Sequence, residues 1–205
     1  MPDRHPPGGL VILGGLPGSG KTTIATALAR RTGATHVRVD TIEQAVVDSG
    51  LAAHPVGAVG YVVAYAVAGD QLALGHPVVA DSVNPLEVTR TAWRAVARRH
   101  AVPVLEVGVV CSDPAVHEER ATSRLSDVEG LMKPDWEQIR TRENDPWSPD
   151  LTLDTARTGV QEAVDRIVDA APWWSSRSGL QHSDSEHSDS EHSGPAVGGS
   201  SSGSW

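Results

Sequence analysis

The stretch Leu10-Val11-Ile12-Leu13-Gly14-Gly15-Leu16-Pro17-Gly18-Ser19-Gly20-Lys21-Thr22-Thr23 decides how this chain folds. Four consecutive apolar residues predict a buried strand. Gly15 to Thr22 fits the pattern G-x-x-x-x-G-K-[ST], and the residues from Thr23 to Arg30 follow with helical spacing. Strand, glycine loop and helix in this order read as a P-loop, in which backbone N–H groups from Gly15 to Thr23 turn toward a phosphate. Lys21 then reaches the β- and γ-oxygens, and the Thr22 hydroxyl lies where it can hold Mg²⁺ at the positive end of the helix. A chance glycine turn before a helix would give the same letters, but the flanking apolar strand and helix are what phosphate binding requires. Lysine usage agrees: the chain has fifteen Arg but only Lys21 and Lys133.

Working outward, apolar runs of strand length recur at Thr35–Val39, Pro77–Ala80, Val102–Val110 and Leu151–Leu153. Helical periodicity separates them at Lys21–Thr32, Thr41–Asp48, Val59–Leu74, Leu86–His100, Pro114–Arg124, Asp135–Glu143 and Gly159–Ala170. This alternation predicts an α/β domain with a parallel sheet covered by helices. Residues 1–171 form one such domain in this reading, since about 170 residues suit a single core. Residues 172–205 carry two tandem His-Ser-Asp-Ser-Glu repeats and a Gly/Ser-rich end, which predicts a disordered tail. The three histidines spaced five apart within it share no helical face, so a solvated tail is expected rather than a metal site.

A net charge of −9 disfavours general nucleic-acid binding. The N-terminus does not read as a signal peptide, and the apolar run from Val56 to Ala68 is too short to span a bilayer, so a cytoplasmic location is expected. The single cysteine, Cys111, ends a predicted strand and reads as a buried small side chain.

Three further groups bear on chemistry. Asp40 ends the second predicted strand, where a carboxylate can take the proton of an attacking hydroxyl or cap the next helix. Asp81 closes the hydrophobic run Pro77-Val78-Val79-Ala80, like a Walker B carboxylate near Mg²⁺; the alternative has Asp81 and Asn84 capping the helix near Leu86. Arg120 and Arg124 stand at i and i+4 on one predicted helix. With Arg140 and Arg142 on the next short helix, they suggest a lid over about residues 113–145 that places guanidinium groups on a transferring phosphoryl group. A solvated face pairing with Glu118, Glu119 and Glu129 is the alternative.

From Val39 through Thr89 there is no Lys or Arg, whereas Glu43, Asp48, His54, Tyr61, Tyr65, Asp70 and Glu87 are present. A phosphorylated acceptor would call for cations there, so a neutral or cationic acceptor fits better. Arg90 and Arg94, on the following helix, are the cations placed to reach an anion. The two tyrosines, one turn apart, read more readily as core than as pocket.

With Gly15–Thr22, Val39-Asp40-Thr41-Ile42, Asp81, the Arg120/Arg124 helix and Leu153-Asp154-Thr155 placed, the chain resembles the P-loop small-molecule kinases. The resemblance is to the chloramphenicol phosphotransferase-like and zeta-toxin-like group of AAA family ATPases (AAA_33), and covers about Gly9 to Ala170. It implies a five-stranded parallel sheet of order 2-3-1-4-5 in a three-layer sandwich, with Asp40 as general base and lid arginines on the transferring phosphate. It also implies contact of the Asp154–Ala156 loop with the adenine. The expected activity is transfer of the γ-phosphate of Mg-ATP to a hydroxyl of a small molecule, with Lys21, Asp40, Arg120 and Arg124 in catalysis and Thr22 and Asp81 at the metal. The competing expectations are an ATP-hydrolysing switch without an acceptor and, less favoured, a nucleic-acid end kinase. No Asn-Lys-x-Asp element for reading guanine occurs.

Overall fold

The computed structural model describes residues 8–123 and 135–175. Arg124, the loop from Leu125 to Pro134 and the repeats beyond Ser175 lie outside the described residues. Five parallel strands form one sheet: β1 (Leu10–Gly14), β2 (Thr35–Arg38), β3 (Val78–Asp81), β4 (Val104–Val110) and β5 (Leu151–Asp154), in the order β2-β3-β1-β4-β5. The helices are α1 (Lys21–Thr32), α2 (Val39–Asp48), α3 (Val59–Ala73), α4 (Glu87–Arg99), α5 (Pro114–Ser123), α6 (Trp136–Arg140), α7 (Val160–Ala170) and α8 (Pro172–Ser175). The expected α/β architecture and strand order are those observed.

Every residue of β1 is buried, because helices cover both faces of the sheet. Side chains alternate along the strand, so Val11 and Leu13 join Ile24 and Leu28 of α1 and Val164 and Ile167 of α7. Leu10 and Ile12 instead meet Ala64, Ala68 and Leu72 of α3 and Trp93 of α4. The inward stripe of α3 is Gly60, Ala64, Ala68 and Leu72, and its small residues let that helix lie close against β2 and β3. Tyr65 is core, as read: its ring meets Trp93 edge-on at 4.6 Å, and its hydroxyl donates to the Thr89 carbonyl.

Two boundaries differ from the sequence reading. Helix α2 starts at Val39, directly off β2, because Arg38 keeps an extended conformation as N-cap and the chain turns at once. Asp40 therefore lies within the first turn and is not the capping residue. The folded part also runs past residue 171: α8 carries Trp174 into the core at 4 % exposure, and Trp173 packs so tightly on Gly9 that a methyl there would lie 1.8 Å from its indole nitrogen. The two tryptophans supply enough apolar area to order a segment whose neighbours are polar. No described helix is long and apolar enough to cross a membrane.

Candidate active site

The sheet register assembles the site. Leu13 pairs with Asp81, and Asp81 pairs with Arg38, so the end of β1, the end of β3 and the start of α2 lie side by side at the carboxyl edge of the strands. That edge is where open α/β sheets bind ligands.

The P-loop leaves β1 at Gly14 and enters α1 through Gly20, whose φ of 95° is left-handed, as is the φ of 82° at Gly18. A side chain at Gly18 would also lie 2.9 Å from Cβ of Ala121 in α5. Lys21 is 6 % exposed and folds back to donate to the Leu16 carbonyl at 3.4 Å. Two outside groups hold the loop. His117 of α5 contacts the Pro17 carbonyl at 2.8 Å, and the Thr155 hydroxyl donates to the Ser19 carbonyl at 2.8 Å.

Asp81 is 2 % exposed and 3.2 Å from Nε2 of His36. Burial alone would push its carboxyl upward, but hydrogen bonds from His36 and Thr22 and the nearby Lys21 charge outweigh that and hold it below the usual carboxylate range. It is an anion touching the Thr22 hydroxyl. Neither Asp81 nor Asn84 caps α4, whose N-cap is Leu86 with no side-chain cap, so the capping alternative is not realised. Two hard oxygen donors at the positive end of α1 fit Mg²⁺. Among the described residues no three His, Cys, Asp or Glu side chains gather into a metal site of their own, so such an ion would share its coordination with phosphate and water.

Arg38 bridges the carboxylates, 4.0 Å from Asp81 and 3.9 Å from Asp40. Asp40 is about a third exposed and sits at the positive end of α2. One turn on, Glu43 packs against Gly60; its carboxyl is pushed up by burial and by the Asp40 charge, and the nearby Arg142 counters this in part. Tyr61 lies in the same surroundings, its hydroxyl accepting from the Asn84 backbone N–H at 3.1 Å. It packs against the same core cluster as Tyr65, with its hydroxyl at the edge of the site.

The arginines fall differently from the expected lid. Arg120 donates to the hydroxyl of Thr155 at 2.9 Å and to its carbonyl at 3.4 Å, so it tethers the loop after β5 to α5 instead of facing open space. Arg124 lies outside the described residues. Arg140 pairs with Glu137 on the surface. Arg142 and Arg38, to which the sequence gave no acceptor role, are the cations brought to the carboxylates. Arg90 and Arg94 are not available to an anion. Arg90 is fully buried and donates to the carbonyls of Asn84, Pro85, Asp145 and Pro146, while Arg94 pairs with Glu106 and Glu87. Cys111 lies just past β4, half-buried, with its Sγ 3.8 Å from the Arg120 guanidinium.

The fold and this site together define a P-loop α/β protein. The AAA_33 family model, described as an AAA domain, matches residues 10–141, and the chain belongs to that family. Among solved structures it is similar to the Mycobacterium tuberculosis APS kinase CysC in complex with AMPPNP and APS (19 % identity, 82 % of this chain and 99 % of that one, TM-score 0.62). It is also similar to Chaetomium thermophilum Kti12 in complex with ADP-AlF3 (23 %, 78 % and 98 %, 0.59) and to a gluconokinase from Sinorhizobium meliloti (21 %, 84 % and 99 %, 0.53). At these identities the likeness is one of fold. No curated protein matches the chain in sequence.

Proposed function

We propose that this protein is an ATP-dependent phosphotransferase that moves the γ-phosphate of Mg-ATP to a hydroxyl of a small neutral or cationic molecule in the cytoplasm. The observation that carries this reading is the row of groups along the sheet edge: a phosphate loop, an ionised buried Asp81 on Thr22, and Asp40 joined to Asp81 through Arg38. A switch that only hydrolyses ATP needs the first two. Asp40, on the first turn of α2 beside Glu43 and Tyr61, is the addition that a transferase uses.

In this reading the P-loop amides and Lys21 hold the triphosphate, and Lys21 leaves the Leu16 carbonyl for the β- and γ-oxygens. Thr22 and Asp81 would hold Mg²⁺, which would supply charge neutralisation there. Asp40 accepts the proton of the acceptor hydroxyl, and Arg38, 3.9 Å away, orients the Asp40 carboxylate for it. Asp40 and Glu43 give the acceptor side a carboxylate wall, which favours neutral or amine-bearing molecules over phosphorylated ones. Arg142 offsets part of that charge.

The test is ADP release from Mg-ATP across neutral, cationic and nucleotide hydroxyl compounds, with Lys21→Ala and Asp40→Asn in parallel. Acceptor-dependent ADP that both substitutions abolish is the expected result. ADP formed at one rate whatever the acceptor, lost in Lys21→Ala and kept in Asp40→Asn, would replace this reading with the switch. Activity on oligonucleotides that falls steeply with salt would point to an end kinase instead.

A further inference from the structure

A cavity of about 530 Å³ lies beside the phosphate loop, floored by the sheet at Gly14 and Gly108 and roofed by the chain segment that enters β5. Its wall includes Gly15, Leu16 and Ser19 from the first half of the P-loop and neither Lys21 nor Thr22, so it adjoins the phosphate cradle without being part of it. The lining is predominantly apolar, with Trp147, Pro146, Val83 and Val110 prominent, and this volume is that of a small-molecule pocket.

The roof is built to stay in place. The Trp147 indole N–H donates to Glu106 at 3.0 Å, Glu106 is fixed in turn by Arg94, and Arg90 lies 5.5 Å from the Trp147 ring while bonding the carbonyls before it. Asp145 accepts from the backbone N–H of Glu87, and Asp150 from that of Glu106.

Two polar atoms on this wall lack partners. Asn84 is 1 % exposed; its amide N–H donates to the Leu13 carbonyl at 3.3 Å, which fixes the orientation of the amide and leaves its Oδ1 without a hydrogen bond. Ser19, equally buried, has an unpartnered hydroxyl. Asn84 also has a left-handed backbone (φ 51°), held by its N–H bond to Tyr61 and by the Arg90 bond to its carbonyl. Strain and an unpaired buried acceptor at one residue mark a position shaped for a ligand.

We propose that this cavity binds the non-reacting part of the acceptor, and that this part is a neutral apolar ring carrying an N–H or O–H donor, which Asn84 Oδ1 accepts while Trp147 lies against the ring. The binding stands by itself; its assignment to the acceptor rests on the phosphotransferase reading. Asn84 is then a specificity-determining residue, because a ring without a donor leaves its oxygen unpaired in the complex.

The experiment uses the full chain labelled with ¹⁵N, following the indole N–H of Trp147, identified by its loss in Trp147→Phe. The probes are benzamide and methyl benzoate, rings of similar size with and without a donor. Benzamide should shift that resonance saturably and bind at least about tenfold tighter than methyl benzoate, and Asn84→Leu should erase the preference. Thr152→Phe, which fills the wall from β5, should abolish binding of both and covers the case in which Asn84→Leu does not fold. Binding of benzamide should persist with Mg-AMPPNP at saturation. No shift at Trp147, no preference for benzamide, or displacement by AMPPNP would each overturn the proposal, the last by giving the cavity to the nucleotide. None of these results depends on ADP release, so failure here and failure of the phosphotransferase reading are told apart.

Discussion

Replacing Arg90 with Met should unfold this protein far more easily than its place near the surface-charged face of α4 suggests. Its guanidinium is fully buried and bonds the carbonyls of Asn84 and Pro85 at 3.1 Å each, in surroundings that exclude water. The carbonyls of Asp145 and Pro146, at 3.4 and 3.1 Å, are only partly buried, and water can replace their donor. Leaving a buried acceptor unpaired costs about 1–3 kcal/mol, so the first two carbonyls alone give roughly 2–6 kcal/mol. The bond to Glu87, half-exposed, adds little. A central expectation of about 4 kcal/mol is a large share of the 5–15 kcal/mol typical of a domain, and corresponds to a melting point lower by roughly 10 °C. Arg90→Lys keeps the charge but not the fork, and should recover less than half of the loss. Urea unfolding followed by far-ultraviolet circular dichroism at pH 7 measures both. A loss below about 1 kcal/mol for Arg90→Met, with unchanged denaturant dependence, would refute the claim that one side chain satisfies the two loops.

Trp174→Ala should cost about 3–5 kcal/mol in the same assay, because it empties a buried site against α7; an effect near zero would return residues 172–175 to the tail. Gly18→Ala combines about 1–2 kcal/mol of left-handed backbone strain with contact against Ala121, and calorimetry should show nucleotide binding weakened about tenfold or more. Because the Asp81 carboxyl is held below its ordinary 3.8, its contribution is present above that pH and is lost as pH falls through the lower folded value. Asp81→Asn should therefore flatten the acid limb of the stability profile below about pH 4. Glu43 is shifted the other way, so folding favours its protonated form and stability falls as pH rises past 4.5. Glu43→Gln should then raise the melting temperature at pH 7 and leave it unchanged at pH 3.5.

What was legible in the sequence was contiguous. The apolar run of β1, the glycine loop and α1 occupy one unbroken stretch, and Asp81 announces itself by ending four buried residues. Gly33, directly after α1, caps it in a left-handed conformation with φ 68° and an N–H bond to the Ala29 carbonyl, a stop that a glycine at that place signals locally. The start of α2 was misplaced because Val39 is β-branched and continues an apolar run, and nothing local shows that the backbone turns before it. The contacts of Arg90 with Pro146, His117 with Pro17 and Trp147 with Glu106 could not be read, since each joins positions 41 to 100 residues apart in sequence and none imposes a period on its own segment. The same limit applies to Arg120: nothing in its i, i+4 spacing with Arg124 shows that Thr155, 35 residues away, would meet it. The paired Trp173-Trp174 was a signal passed over, as two large aromatic side chains together are costly to leave in water.

Gly14 and Gly108, paired across β1 and β4, form a bare patch of sheet on which a methyl at the first would lie 2.8 Å from the Trp147 ring and a methyl at the second 2.9 Å from Pro149. The two glycines and the segment above them therefore constitute a single interlocking part, a mould and its cast, in which the floor cannot gain bulk unless the roof loses it. Gly14→Ala should be harmful in this protein and tolerated beside Trp147→Leu. Chains of this architecture that hold a side chain where this one has Gly14 are expected to carry a residue smaller than tryptophan where this one has Trp147, so that the depth of the neighbouring hollow is set by an exchange of bulk between floor and roof.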